Sequence, residues 1–162
     1  MEKRYDVVMI GTVIRATKAQ RTSICKRWEV LLCACPHRSA LANPEIMSYR
    51  IPEICDEVLE RLRFYQPIEN LELNEPACPC ALNPMLDFFE TGEAAMTEGM
   101  LRALKSVPDL SMTDRSESLK ELYQVLHHLR VQEIDLLCSV CQLHPAGKPN
   151  PLCQLAASAR SR

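Results

Sequence analysis

The residues with the clearest capacity for chemistry are cysteines near the carboxyl end of the chain. Cys138, Cys141, His144 and Cys153 follow one another with gaps of two, two and eight residues. Thiolates three positions apart at a helix end share one face, and the prolines after His144 favour a turn that returns Cys153 toward them. Thiolate and imidazole are ligands that zinc prefers in structural sites. The spacing therefore predicts a zinc site with three cysteines and one histidine.

A second group of potential metal ligands lies earlier in the chain. Its members are Cys33, Cys35, His37, Cys78 and Cys80. Two cysteines separated by one residue reach the same ion only where the chain is extended or turning, which neighbouring prolines favour. The two cysteine pairs predict a second zinc site with four thiolates, in which the histidine is the alternative to one thiol.

The cysteine count and the start of the chain indicate how the thiols are used. The chain has nine cysteines, an odd number, and Cys25 and Cys55 are available as substitute ligands for the second group. Asp6 precedes the short apolar run of residues 7–14, and Arg15 follows it in place of a small-residue cleavage site. The sequence therefore predicts an intracellular protein, cytoplasmic or nuclear or both, with reduced, metal-binding cysteines.

Charge is distributed unevenly along the chain, although the net charge is only −2. Residues 1–38 carry eight Lys and Arg against three acids, whereas residues 39–110 carry five against thirteen. This asymmetry predicts attraction between the two segments. The alternative is a nucleic-acid-binding surface on the basic third of the chain, residues 1–38. The basic residues that would form such a surface are Arg15, Lys18, Arg21, Lys26, Arg27 and Arg38.

Sequence motifs typical of enzymes are missing or incomplete. Gly11 follows a Val- and Ile-rich run, but no glycine-rich phosphate loop comes after it, and the chain has no Gly-x-Ser-x-Gly motif. Cys138 and Cys141 have thioredoxin spacing, but at the end of a predicted helix they lack the amino-terminal dipole that lowers a thiol pKa. The sequence therefore predicts a protein that is not an enzyme.

The middle of the chain is predicted to be helical. Apolar residues fall at helical spacing after Pro52, with acids before them and bases after them. Asn83 and Pro84 predict the cap and first turn of another helix, which Gly92 breaks before a further helix runs to about residue 106. The buried face of the first helix is predicted to contain Ile51, Ile54, Cys55, Val58 and Leu62.

The longest predicted helix follows residue 113. Asp114 and Glu117 have the spacing of a capping box, and an apolar stripe continues from Leu119 toward Cys138 and Cys141. Two adjacent histidines point apart on a helix, so we predict a surface pair at 127–128.

The amino-terminal third contains two short apolar segments. Residues 5–14 and 28–33 are rich in β-branched and aromatic residues and predict strands. The predicted fold class is therefore mainly α, with α+β as the alternative: a helical domain with a small amino-terminal β element, stapled by zinc. We expect a single domain over residues 1–162, with a basic segment at 1–38, a helical body at 39–144 and a tail at 145–162.

Part of the tail resembles a short recruitment motif. Residues 151–159 contain a leucine, then Leu-Ala, then a small residue, and this pattern is similar to the Elongin C-binding box of lentiviral infectivity factors. In that family a zinc-binding element lies just upstream, and the spacing from Cys138 to His144 is similar to its second half. The resemblance implies an adaptor for a cullin-type ubiquitin ligase. The partner-binding residues would be Leu152, Leu155 and Ala156.

These observations predict a zinc-binding, non-enzymatic regulatory or adaptor protein that acts through protein–protein interaction. The alternatives are a nucleic-acid-binding regulator that uses the basic third and a ubiquitin-ligase adaptor that uses the box at 151–159. The predicted partner is another protein, with nucleic acid as the alternative. No membrane partner is predicted, because no segment approaches the roughly 20 apolar residues that span a bilayer.

Overall fold

Six α-helices and one short 3₁₀ helix make up the described part of the chain in this computed structural model. The structure describes residues 3–36, 43–64 and 83–140. Within these ranges there is no β-strand, so the prediction of a mainly α fold is confirmed. The helices are α1 Lys3–Ala19, α2 Arg21–Ala34, α3 Pro44–Met47, the 3₁₀ helix Ser48–Arg50, α4 Ile51–Arg63, α5 Pro84–Ser106 and α6 Met112–Val140.

The predicted amino-terminal β element is wrong. Residues 5–14 lie within α1, and residues 28–33 lie within α2. In α2 the buried residues Ile24, Trp28 and Leu32 recur every four positions, which is the spacing of a helix that packs by one face. Tertiary packing of that face overrides the weak strand preference of the local sequence.

Helix α2 packs closely against α5 at two glycines. A Cβ atom on Gly92 would overlap the Trp28 ring, and one on Gly99 would overlap Ile24. Trp28 Nε1 donates a 3.0 Å hydrogen bond to the Phe88 carbonyl oxygen, and the two rings lie 4.8 Å apart. The predicted break at Gly92 is wrong, because α5 continues through this residue, which makes room for the indole at a modest cost in helix propensity.

Helices α5 and α6 form an antiparallel pair joined by a short turn. Val107 and Leu110 anchor the turn in the core, and Asp109 adopts a left-handed φ of 62°, which Asp tolerates better than most residues. Arg115 Nη1 donates a 2.8 Å hydrogen bond to the Leu104 carbonyl oxygen. This bond satisfies one of the carbonyl groups left unpaired at the end of α5.

Side-chain caps fix the starts of α5 and α6. Asn83 Oδ1 accepts a 2.9 Å hydrogen bond from the Met85 amide, which confirms the predicted cap. At the start of α6, Ser111 Oγ accepts from the Asp114 amide at 3.0 Å, while Asp114 Oδ2 accepts from the Ser111 amide at 3.1 Å. The capping box therefore begins at Ser111 and not, as predicted, at Asp114.

The core lies between α2 and α5, with α1, α4 and α6 packed around them. The prediction for α4 is confirmed, because Ile54, Val58 and Leu62 are at most 2% exposed. On α6 the predicted stripe is also buried at Leu122 and Leu129. None of the described helices combines the length and apolar character needed to cross a membrane.

Candidate functional site

A groove opens between α2 and the turn that leads into α4. Its volume is about 370 Å³. One wall comes from α2 and the other from the 3₁₀ helix and the first turn of α4, with one base and one acid on the α2 side. The lining residues are Cys25, Lys26, Glu29, Ser48, Tyr49, Ile51 and Pro52.

Large apolar side chains are exposed around this groove. Tyr49, in its lining, is 86% exposed, and Ile46, three residues earlier, is 65% exposed. On α2, Val30 is 52% exposed and lies one turn after the lining residue Lys26. Aromatic residues that border a pocket are the type enriched in protein-binding hot spots, so this face is suited to binding a partner.

Two thiols meet beside the groove. Cys25 on α2 lines it and is half-buried, whereas Cys55 on α4 is fully buried. A hydrogen bond from the Cys55 thiol, helped by the charge of Arg21 and opposed by burial, lowers the pKa of Cys25 to about 7. The same contact and burial raise the pKa of Cys55, whose Sγ lies 3.8 Å from Met96 Sδ.

An ion pair joins α2 to α4 next to these thiols. Arg21 Nη2 donates to Asp56 Oδ2 at 2.7 Å, and Arg21 Nε bonds the other carboxylate oxygen. The hydrogen bond from Arg21 lowers the pKa of Asp56. Because Arg21 precedes Cys25 by one turn and Asp56 directly follows Cys55, the pair holds the helices together where the sulfur atoms meet.

The predicted attraction between the basic residues 1–38 and the acidic residues 39–110 is confirmed by two ion pairs. Besides Arg21, Arg27 donates to both carboxylate oxygens of Glu98, at 2.9 and 3.0 Å. Its hydrogen bond lowers the pKa of Glu98. Arg15, Lys18 and Lys26 are exposed. Arg38 lies outside the described residues.

Three of the predicted zinc ligands belong to the described residues. Cys33 is exposed and Cys35 half-buried at the end of α2, and Cys138 is half-buried near the end of α6. Asn83 Nδ2 lies 3.7 Å from Cys138 Sγ and donates to the Ile134 carbonyl oxygen at 3.3 Å. Over the described ranges, no three potential metal-ligating side chains come together.

The helix ends that carry these cysteines lie on the same side of the molecule. Helix α5 runs antiparallel to α2, since Trp28 contacts Phe88 whereas Ser23 faces Arg102 at 3.5 Å. The start of α5 therefore lies near the end of α2. Asn83, at that start, also contacts the end of α6. Cys33, Cys35 and Cys138 therefore lie at neighbouring helix ends.

The other predicted site residues lie outside the described residues, and the predictions about them stay predictions. The metal-ligating ones are His37, Cys78, Cys80, Cys141, His144 and Cys153. The partner-binding ones are Leu152, Leu155 and Ala156.

The prediction that both histidines at 127–128 lie on the surface is wrong for His127. His127 is only 7% exposed, and its ring stacks on Tyr123 at a centroid distance of 6.0 Å. His128 is half-buried. Val125, Leu126 and Leu129 are also buried on this stretch of α6, so its interior face is wide enough here to include the first histidine.

Sequence reasoning named Cys25 and Cys55 only as substitute metal ligands and missed that they contact each other. Cys55 belongs to the buried stripe predicted for α4, whereas Cys25 follows the buried Ile24 on α2, a helix that was not predicted. Their meeting depends on how α2 and α4 pack. No local pattern in the sequence encodes that contact.

Comparison of the chain with family models, curated proteins and solved structures gives no match.

Proposed function

We propose that this chain is a zinc-binding, non-enzymatic regulatory or adaptor protein that acts inside the cell, in the cytoplasm or nucleus, by binding another protein. The single observation that carries the proposal is the groove beside α2, lined by the strongly exposed Tyr49. Leaving a large aromatic side chain in water at a preformed cavity favours a partner that covers it.

The chemistry of the groove favours an amphipathic helix of the partner protein. An apolar side chain would enter between Tyr49 and Ile51, where it would be removed from water. Lys26 and Glu29, one helical turn apart on the rim, would face an acid and a base of the partner. Most of the affinity would then come from apolar burial, so binding would depend little on salt.

The zinc component is supported by the neighbouring ends of α2, α5 and α6. Cys33 and Cys35 lie at the end of α2, and Cys138 lies near the end of α6 beside Asn83, which precedes α5. The Asn83 amide close to Cys138 Sγ is the type of outer contact that orients and tunes a metal-bound thiolate.

The groove favours a protein partner over nucleic acid. The ion pairs and the buried tryptophan of the basic third favour the same choice. Arg21 and Arg27 are already paired with Asp56 and Glu98, so less positive charge is available to neutralise phosphates. Trp28, the only tryptophan in the chain, is fully buried and cannot stack on a base.

The groove is tested by capture of partners from a cell extract with matched variants. Tyr49→Ser removes the exposed aromatic of the groove. Met112→Ser removes an equally exposed apolar side chain, 80% exposed at the start of α6. We expect one protein to be captured by the wild type and Met112→Ser and lost with Tyr49→Ser, and the complex rebuilt from purified components to tolerate high salt.

Two other outcomes would contradict this assignment in specific ways. A nucleic-acid complex that weakens steeply with salt, and is lost when Arg15, Lys18 and Lys26 are changed to Gln, would favour the nucleic-acid-binding alternative. Capture of Elongin C that disappears with Leu152→Ser and survives Tyr49→Ser would favour the ubiquitin-ligase adaptor.

Zinc is tested by elemental analysis and native mass spectrometry of the purified protein. We expect bound zinc that falls by one equivalent in Cys141→Ser, together with a lower melting temperature, because structural zinc contributes directly to folding. Met112→Ser, at an exposed residue that belongs to neither ligand group, is the control, and its metal content should equal that of the wild type. A metal-free wild type with a fully stable Cys138→Ser, Cys141→Ser variant would contradict the zinc proposal.

A further inference from the structure

We propose that Cys25 is a modification site for small hydroperoxides and that Cys55 is its resolving thiol, so that oxidation links α2 to α4 by a disulfide. This inference goes beyond the proposed function and holds whether or not a partner occupies the groove. It rests on two thiols of unequal accessibility, one lining the groove and one buried, that lie within hydrogen-bonding reach across the α2–α4 interface beside the Arg21–Asp56 pair.

Accessibility gives the two thiols different roles. Cys25 lines the groove of about 370 Å³, which admits a molecule as small as hydrogen peroxide. Cys55 is 0% exposed and is enclosed by the core and Met96, so an oxidant in solution does not reach it directly. Cys25 is therefore the site of first attack, and Cys55 reacts only with a sulfur already beside it.

The charged groups around the pair favour the thiolate at Cys25. Arg21 lies one turn before it, while Asp56 and the groove residues Lys26 and Glu29 also face this region. The hydrogen bond from Cys55, opposed by burial and helped by the charge of Arg21, lowers the pKa of Cys25 to about 7, which favours the thiolate. The thiolate is the nucleophile in oxidation, and its fraction rises as the pH rises through this value.

The reaction balances in two steps. The Cys25 thiolate attacks the hydroperoxide, the O–O bond breaks, and the leaving oxygen takes up a proton to become water or an alcohol while Cys25 becomes a sulfenic acid. The Cys55 sulfur then attacks the sulfur of Cys25, the S–O bond breaks, and hydroxide leaves with the Cys55 proton as water. The two thiols lose two electrons, and the hydroperoxide gains them.

The structure favours this disulfide over competing ones. The bidentate contact between Arg21 and Asp56 joins α2 and α4 next to both thiols. Cys33 lies on the same helix two turns further on and is exposed. It is therefore the natural reference thiol for any reaction that depends on exposure alone.

The test treats the reduced full-length protein with a slight excess of hydrogen peroxide at neutral pH and maps the peptides after trypsin. We expect loss of the mass of two hydrogens and one linked pair, residues 22–26 with residues 51–61, which disappears on reduction. In Cys55→Ala we expect the sulfenic acid to persist at Cys25 and to be trapped by a cyclic diketone. In Cys25→Ser, at the half-buried position, we expect no link to Cys55.

Cys33→Ser is the matched control and should form the linked pair at the wild-type rate. Alkylation of Cys25 should also accelerate as the pH rises through about 7. Oxidation that modifies Cys33 or Cys35 while Cys25 and Cys55 stay reduced would overturn the proposal. A link to Cys55 in the Cys25→Ser variant would overturn it equally, because Cys55 would then react without Cys25.

Discussion

Helix α2 uses its two packed faces in different ways. Toward α5 it presents Ile24 and Trp28, both fully buried against glycines that leave no space for a larger residue. Toward α4 it presents Arg21 and Cys25, which meet an acid and a thiol beside an open groove. The first face is held by shape and apolar burial, and the second by a few polar contacts at the edge of solvent.

This contrast separates stability from chemistry on a single helix. The face toward α5 tolerates little change, because its atoms are close-packed and a void or an overlap is costly. The face toward α4 is less closely packed, so the fold tolerates a cavity and a half-buried thiol there, opposite the exposed Tyr49 of the 3₁₀ helix. We therefore expect substitutions on the first face to unfold the protein and substitutions on the second to change its reactions.

Trp28→Ala should have the largest effect. It removes a fully buried indole and its hydrogen bond to the Phe88 carbonyl oxygen, and we expect a loss of about 3–5 kcal/mol in the free energy of unfolding. A urea denaturation curve followed by circular dichroism measures it. A loss below about 1 kcal/mol would mean that α2 can leave α5 without disrupting the core.

Leu62→Ala probes the apolar face of α4, away from the thiols. Leu62 is 2% exposed, and we expect a loss of about 2–5 kcal/mol in the same measurement. Phe64→Ala, at a residue 67% exposed just after α4, is the control and should change the stability much less. Equal effects of the two changes would contradict the burial of this face.

Gly92→Ala adds one methyl group where the Trp28 ring already lies. We expect overpacking to lower the free energy of unfolding by about 1–3 kcal/mol. Gly→Ala in a helix usually raises it. Gly11→Ala in α1 is the matched control, because nothing lies within 4 Å of the added atom, and it should stabilise the protein by about 0.4–1 kcal/mol. A stabilising Gly92→Ala would show that the indole can move aside.

Asp56→Asn should have the smallest effect on stability, about 0.2–1 kcal/mol, because the ion pair with Arg21 is exposed. The pKa of Asp56 is lowered in the folded state, so its contribution is complete above its ordinary pKa of 3.8 and is lost as the pH falls through the folded value. Urea melts at pH 6 and pH 2.5 should show a smaller difference between wild type and variant at the lower pH. An equal difference at the two pH values would contradict this account.

Local sequence patterns determined several elements by themselves. The apolar spacing of α4, the cap at Asn83 and the stripe of α6 were predicted correctly, because each depends on residues within a few turns of one another. Helical periodicity at Ile24, Trp28 and Leu32 was also present in the sequence. The mixture of β-branched and aromatic residues around it led instead to the prediction of strands.

Tertiary structure decided the features that join distant parts of the chain. A glycine at position 92 locally suggests the end of a helix. In the structure α5 continues through Gly92, whose missing side chain leaves room for the Trp28 ring. Cys25 and Cys55 belong to separate helices, and only the antiparallel packing of those helices brings their sulfur atoms together. A hydrophobic pattern determines which face of a helix is buried, whereas the shapes of the partner surfaces determine which residues meet there.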